Sequence, residues 1–204
     1  MNNIYNLTLN DLEQYFLSIG EKKFKGQQVF DWLYRKKVKS FDEMTNLKKE
    51  IIDILKNNFT MNTVSITKVE RDVDVNKYLF KLNDSEKVEA VLMDHLYGNS
   101  LCISTQVGCN MGCKFCESGR LKKVRNLETH EMIEQILLVE EECGKRISHI
   151  VIMGIGEPFD NYNNLIKFIE IVNNPKGLEL GSRHITVSTC GLVPKIKEFT
   201  KLPY

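Results

Sequence analysis

Leu101-Cys102-Ile103-Ser104-Thr105-Gln106-Val107-Gly108 runs directly into Cys109-Asn110-Met111-Gly112-Cys113-Lys114-Phe115-Cys116. The first half reads as a strand, Leu101 to Gln106, and the second as a C-x3-C-x2-C loop. Thiolates are the soft ligands that hold iron–sulfur clusters, and three from one short loop can converge on three corners of a cubane. Gly108 and Gly112 give the backbone freedom to wrap closely, and Phe115 is expected to shield the cluster from water. Three ligands leave the fourth iron open to a substrate. A structural zinc site would want a fourth ligand and paired C-x2-C spacing. Cys102 could be pressed into that role, but it would lie roughly 20 Å from Cys109 along an extended strand. Free buried cysteines poorly explain three so closely spaced.

Downstream, the pattern alternates. A helix is expected over about Glu128 to Glu142, with Thr129 near its start and Gly144 after its end. Ile147 to Met153 reads as a buried strand, Asn161 to Val172 as a helix and His184 to Thr189 as a strand. Strands separated by helices imply right-handed βαβ units and a parallel sheet. Three such strands suggest half a barrel. Gly156-Glu157-Pro158 falls at the C-terminal end of one of them, where α/β sheets and barrels place ligands. By itself the tripeptide is a weak signal, because most such tripeptides are turns.

Upstream, residues 62–105 have strand character: Val64 to Thr67, Tyr78 to Phe80 and Val88 to Leu92, with Asn83-Asp84 as a hairpin turn. Glu89 sits in an otherwise apolar strand, either facing solvent by alternation or serving chemistry. Alternation also puts Cys102 on a face with Ser104 and Gln106, opposite Ile103, Thr105 and Val107. That polar face is expected to look into the barrel. Residues 8–58 read as helical, capped by Thr8 or Asn10. Their apolar positions include Leu12, Phe16 and Leu17, then Val29, Phe30, Trp32 and Leu33, then Leu47, Ile51, Ile52 and Leu55. Phe30 and Trp32 read as core anchors before they read as a base-stacking platform.

The 204 residues are 42% hydrophobic and 27% charged, with a formal charge of +1. That is a soluble globular composition with no global pull on nucleic acid or a membrane. Local basic groups, Arg35, Lys36, Lys37 and Lys39 and then Lys122, Lys123 and Arg125, read first as solvated loops or helix ends. The N-terminus has no basic stretch followed by an apolar run, and no apolar run is long enough to span a bilayer. A cytoplasmic protein is expected, so six cysteines argue for metal or catalytic use.

The cysteine loop after the first barrel strand resembles the radical S-adenosylmethionine (SAM) superfamily. The flanking words narrow the match. Leu101 to Gly108, Met153-Gly154-Ile155-Gly156-Glu157-Pro158, Ile185-Thr186-Val187-Ser188-Thr189 and the helical Phe24 to Met44 resemble the ribosomal RNA adenine-C2 methyltransferases. The resemblance covers nearly the whole chain. It implies an α/β fold, a partial radical SAM (βα) barrel over 99–204, preceded by a small helical accessory domain over 1–60 and a short antiparallel sheet over 61–98. It implies a 4Fe–4S cluster on Cys109, Cys113 and Cys116, SAM bound by Gly156, Glu157 and Ser188, Glu89 as general base, and Cys102 as the thiolate that resolves an enzyme–RNA adduct. The implied substrates are adenosines of 23S ribosomal RNA and of tRNA, the implied electron donor a flavodoxin-like protein, and the implied state a monomer away from membranes. The family's second barrel half and C-terminal methyl-carrying cysteine have no counterpart before Leu202-Pro203-Tyr204. The chain alone is therefore expected to keep the family's identity yet fail as a methyltransferase. Methylation at adenine C8, a different radical SAM substrate, and a noncatalytic RNA-binding module are the competing readings.

Overall fold

Thr8, not Asn10, starts the first helix. Its hydroxyl accepts from the Asp11 amide while the Asp11 carboxylate takes the Thr8 amide, a reciprocal cap that satisfies two otherwise free donors. In a computed structural model describing residues 1–204, the elements in chain order are β1 (Asn2–Asn3), α1 (Leu9–Ser18), α2 (Phe24–Tyr34), α3 (Lys49–Asn58), β2 (Phe59–Thr60), β3 (Ser65–Arg71), β4 (Val75–Lys81), β5 (Lys87–His95), β6 (Gly98–Cys102), β7 (Gln106–Val107), β8 (Arg125–Asn126), α4 (Thr129–Cys143), β9 (Ile147–Ile152), α5 (Tyr162–Asn173), β10 (Ile185–Val187) and α6 (Val193–Phe199).

The antiparallel strands expected upstream and the parallel strands expected downstream form one sheet, in the order β10-β9-β6-β5-β4-β3. β6 joins the two halves, because it pairs antiparallel with β5 and parallel with β9. The β4–β5 hairpin turns at Asn83-Asp84, as the sequence predicts, with Ser85 in the left-handed region at φ 72°. The sheet is not closed into a barrel.

One expectation about the central strand needs correction. β6 stops at Cys102 rather than at Gln106, because the chain after β9 crosses directly over residues 103–104. A Cβ on Gly154 would lie 2.5 Å from the Ile103 carbonyl oxygen, so only glycine permits the crossing. The face shared by Cys102, Ser104 and Gln106 is closely packed. Ser104 and Gln106 have no exposed surface, and only Cys102 is half-buried. Both buried side chains are spent on the scaffold: the Ser104 hydroxyl donates to the Glu89 carbonyl and accepts from the Ile155 amide.

The packed face of the sheet carries one continuous apolar core running from Ile4 to Leu180. Phe30 belongs to it, as expected. Trp32 is half-exposed, its ring covered by the Lys36 ammonium at 3.5 Å. Leu17 is exposed, against expectation. α4 is the hub between regions distant in sequence, and carboxylates do the joining. Glu128 is its N-cap, with Thr129 its first residue, and Gly144 closes it in the left-handed region. Glu140 takes Lys37 from the helical region. Glu131 holds the Arg125 guanidinium bidentately. Glu134, only 2% exposed at its side chain, accepts from Asn3, Thr63 and the Val64 amide and contacts His130. Replacing it leaves buried donors without an acceptor. Glu134→Ala is therefore expected to lower unfolding free energy by about 3 kcal/mol, and Glu134→Gln by less, measured by urea denaturation of the metal-free protein.

Candidate functional site

The loop from Gly108 to Val124 leaves the C-terminal end of the sheet and returns to it through a short ladder. Gln106 pairs with Asn126 and Val107 with Arg125. Above that ladder the Val124 amide donates to the Val107 carbonyl, and the Cys109 amide to the Leu121 carbonyl. Gly108 makes the closure possible. Its φ is +71°, and a Cβ there would meet the Lys122 carbonyl oxygen at 2.1 Å. Cys109, Cys113 and Cys116 are all half-buried free thiols on this loop. Phe115, expected to shield them, is 95% exposed and points to solvent.

No three His, Cys, Asp or Glu side chains are gathered in metal-binding geometry, so the loop carries the thiols without preassembling them. The donor set nevertheless fits an iron–sulfur cluster: three soft thiols from one glycine-bearing loop, none engaged in a disulfide.

Gly156 and Glu157 follow β9 at the same end of the sheet as the loop. Gly156 has φ +108°, and a Cβ there would sit 2.6 Å from the Gln106 Cβ, so the turn lies flat against residue 106. Glu157 is 3% exposed. One of its oxygens accepts from the Phe159 amide at 2.9 Å and the Thr189 hydroxyl at 2.7 Å, and the other from the Cys190 amide at 2.7 Å. This carboxylate therefore ties the end of β9 to the end of β10 and is not simply a free arm for a ligand. Ser188, half-buried at the end of β10, donates its amide to the Ile152 carbonyl. Cys190 lies beside the loop, although nothing in the sequence gave it a role. Partial desolvation pushes its thiol up to about 11, with the Glu157 carboxylate and then Cys113 and Cys109 adding to the effect.

Cys102 closes β6 between Val91 on β5 and Val151 on β9. Burial pushes its thiol up, partly offset by a backbone hydrogen bond from Met153. It is therefore a neutral thiol near pH 7 and needs a proton acceptor before it can act as a nucleophile. Glu89 is on the neighbouring strand, two residues from Val91. Its side chain is 39% exposed and paired with Lys77 at 2.8 Å, a half-open carboxylate with a cationic partner. The Glu89 contact, in turn, raises the Lys77 ammonium.

Most of the basic groups singled out in the sequence are neutralised locally. Lys37 and Lys39 pair with Glu140 and Glu141. Lys123 pairs with Asp160, and Arg125 with both Asp84 and Glu131. They act as ties between elements, and no continuous cationic stripe results from them. No helix is long and apolar enough to cross a membrane.

The site's likeness to known proteins is extensive. Residues 2–61 match the ribosomal RNA large subunit methyltransferase N-terminal domain, and residues 103–203 match the radical SAM superfamily. A probable dual-specificity RNA methyltransferase RlmN of Acholeplasma laidlawii is 54% identical over 98% of this chain and 59% of its own length. The protein so described from Listeria monocytogenes is 51% identical over 96% of this chain and 55% of its own. The crystal structure of a radical SAM methyltransferase from Sphaerobacter thermophilus superposes with a TM-score of 0.91 at 33% identity, covering 100% of this chain and 61% of that one. The chain thus spans between half and two thirds of the length of these relatives.

Proposed function

The chain belongs to the RlmN-type RNA methyltransferases of the radical SAM superfamily, which use a 4Fe–4S cluster and SAM, and from that premise we propose that it takes part in methylating C2 of an adenosine in 23S ribosomal RNA and in tRNA. One observation carries the reading: three free thiols share a single loop at the C-terminal end of parallel strands, beside the Gly156–Glu157 turn. Cys109, Cys113 and Cys116 would hold the cluster, whose part in the chemistry is to deliver one electron to the SAM sulfonium. Gly156 gives a ligand close access to backbone. Glu157 already accepts three hydrogen bonds, with the Cys190 thiol beside it, and would meet the SAM ammonium through what remains of its acceptor capacity. Ser188 completes that side of the site from β10.

Cys102 and Glu89 divide the later work. Adenine C2 is electron-poor and must lose a proton after the methyl carbon has added, and Glu89 is the acceptor. Lys77, paired with that carboxylate at 2.8 Å, orients it. Cys102, as a thiolate, would attack the sulfur that tethers the RNA to a second cysteine of the enzyme, forming a disulfide as the carbon–sulfur bond of the adduct breaks and the bonding pair passes to the methylated base. A monomer, an RNA substrate and a flavodoxin-like electron donor belong to the same reading.

The test is anaerobic reconstitution with iron and sulfide, reduction, and addition of SAM. The expected result is a changed electron paramagnetic resonance (EPR) signal and formation of 5′-deoxyadenosine. Mass mapping of adenosines in RNA treated with the complete enzyme is then expected to find the methyl group on C2 and not C8. Tetrahedral zinc in place of iron, or a cluster indifferent to SAM, would refute the assignment.

A further inference from the structure

Gln106 is wholly buried, and its side chain ties the Glu157 turn to Asn126 and Asp160 at the base of the cysteine loop. It sits in β7, three residues before Cys109. Its amide oxygen accepts from the Glu157 backbone amide at 2.9 Å. Its amide nitrogen donates to Asn126 Oδ1 at 2.8 Å and to Asp160 Oδ2 at 3.0 Å. Its stem is the surface on which Gly156 rests, since a Cβ on that glycine would meet Gln106 Cβ at 2.6 Å and Cγ at 2.7 Å.

The contacts continue into the cysteine loop. Asp160 Oδ2 also receives the Lys123 ammonium at 2.7 Å. The Lys123 backbone amide donates to Asn110 Oδ1 at 3.0 Å, and Asn110 lies between Cys109 and Cys113. Asn126, opposite Gln106 in the ladder, donates to the Asp160 carbonyl at 3.2 Å. A chain of short polar contacts therefore runs from Asn110 through Lys123, Asp160 and Gln106 to Glu157. Lys123 first, and then Gln106, hold the Asp160 carboxyl below its ordinary range, so this link is ionised at neutral pH.

The chemistry of position 106 is narrowly specified. It must offer an acceptor to a backbone N–H on one side and donors to two oxygens on the other, with no access to water. Only a primary amide of this length does both. A carboxylate would face Asp160 with like charge and nothing to donate. A leucine would strand a buried N–H and a buried acceptor.

We propose that Gln106 is a positioning residue that fixes the separation between the three-thiol loop and the Gly156–Glu157 turn, and so sets how SAM held by the turn meets the metal held by the loop. This rests on the reading of those two segments as the cluster and SAM sites. Gln106 touches neither ligand. It acts through Glu157 on one side and Asp160 on the other.

The experiment uses the full chain, reconstituted, in wild-type form and as Q106L, Q106N, Q106E and Q106E/D160N. Iron per chain, thermal midpoint and the SAM concentration that half-converts the EPR signal of the reduced cluster are measured together. Q106L is expected to keep most of its iron while the SAM midpoint rises tenfold or more. Q106N keeps the amide but withdraws it by one methylene. It is expected to raise the SAM midpoint severalfold with little change in thermal midpoint. Q106E is expected to be worse than Q106L, and adding D160N to recover part of the loss, since the amide then stands on the other partner. Wild-type SAM response in an iron-loaded Q106L or Q106N would overturn the proposal. So would loss of iron in every variant, because Gln106 would then support the loop alone. A wild-type cluster that ignores SAM points instead to failure of the proposed function.

Discussion

Replacing any one of Cys109, Cys113 or Cys116 with alanine is expected to abolish stable cluster assembly, taking reconstituted iron from about four per chain to near background. Two thiols cannot supply the three protein ligands that a site-open cubane requires. Alanine also brings no donor that could substitute. Stability of the metal-free protein is expected to change little. The three thiols are half-buried on a loop closed below by the β7–β8 ladder, and none belongs to the apolar core. Cys143→Ala and Cys190→Ala are the informative controls. Cys143 bonds only with Lys145 at the end of α4, and Cys190 lies beside Glu157 near the loop. Both variants are expected to load iron normally. If Cys190→Ala lost iron as completely as Cys113→Ala, the loop would be closed by four thiols and the vacant corner would not exist. Because the thiols are not gathered beforehand, cluster loading is also expected to protect residues 109–121 from proteolysis.

Much of this was legible in sequence because it is local. The helix and strand periods survive almost unchanged in α4, β9 and α5. Thr8 with Asp11 forms the cap that its residue types predict, and Gly144 ends α4 as a glycine should. The C-x3-C-x2-C spacing needs no fold to be read. What escaped is what depends on contacts between segments far apart in the chain. Alternation alone placed Ser104 and Gln106 on a polar face looking into the barrel. It has no knowledge of the Gly154 crossing that buries residues 103–104 and ends the strand early. Glu134 in a helix looks like an ordinary surface acid until Asn3, 131 residues away, donates to it. The same applies to Lys123 and Arg125, whose cluster of charge looked solvated. Their partners Asp160, Asp84 and Glu131 lie on three other segments. Phe115 failed for the opposite reason: an aromatic residue in a loop has no strong local rule, and solvent is its neighbour here.

Glu157→Gln tests how much of the site is scaffold and how much is ligand contact. The carboxylate has three donors aimed at it, two of them backbone amides, in an almost water-free position. A glutamine can keep its oxygen toward Phe159 and Thr189, but it then turns an amino group toward the Cys190 N–H. Two donors face each other where a charge-assisted bond stood. The expected cost is about 2–3 kcal/mol of stability, seen as a lower thermal midpoint. Loss of the SAM-dependent EPR change is expected with it. Destabilisation alone could produce both, so Thr189→Val is the necessary comparison. It removes one of the donors, keeps the charge, and loosens the same junction between β9 and β10. If Glu157 meets the SAM ammonium through its remaining acceptor position, Glu157→Gln will weaken the SAM response at least tenfold more than Thr189→Val. Equal losses in the two variants would make Glu157 a strut between strand ends and nothing more. The ammonium would then have to be met by another group at the same end of the sheet.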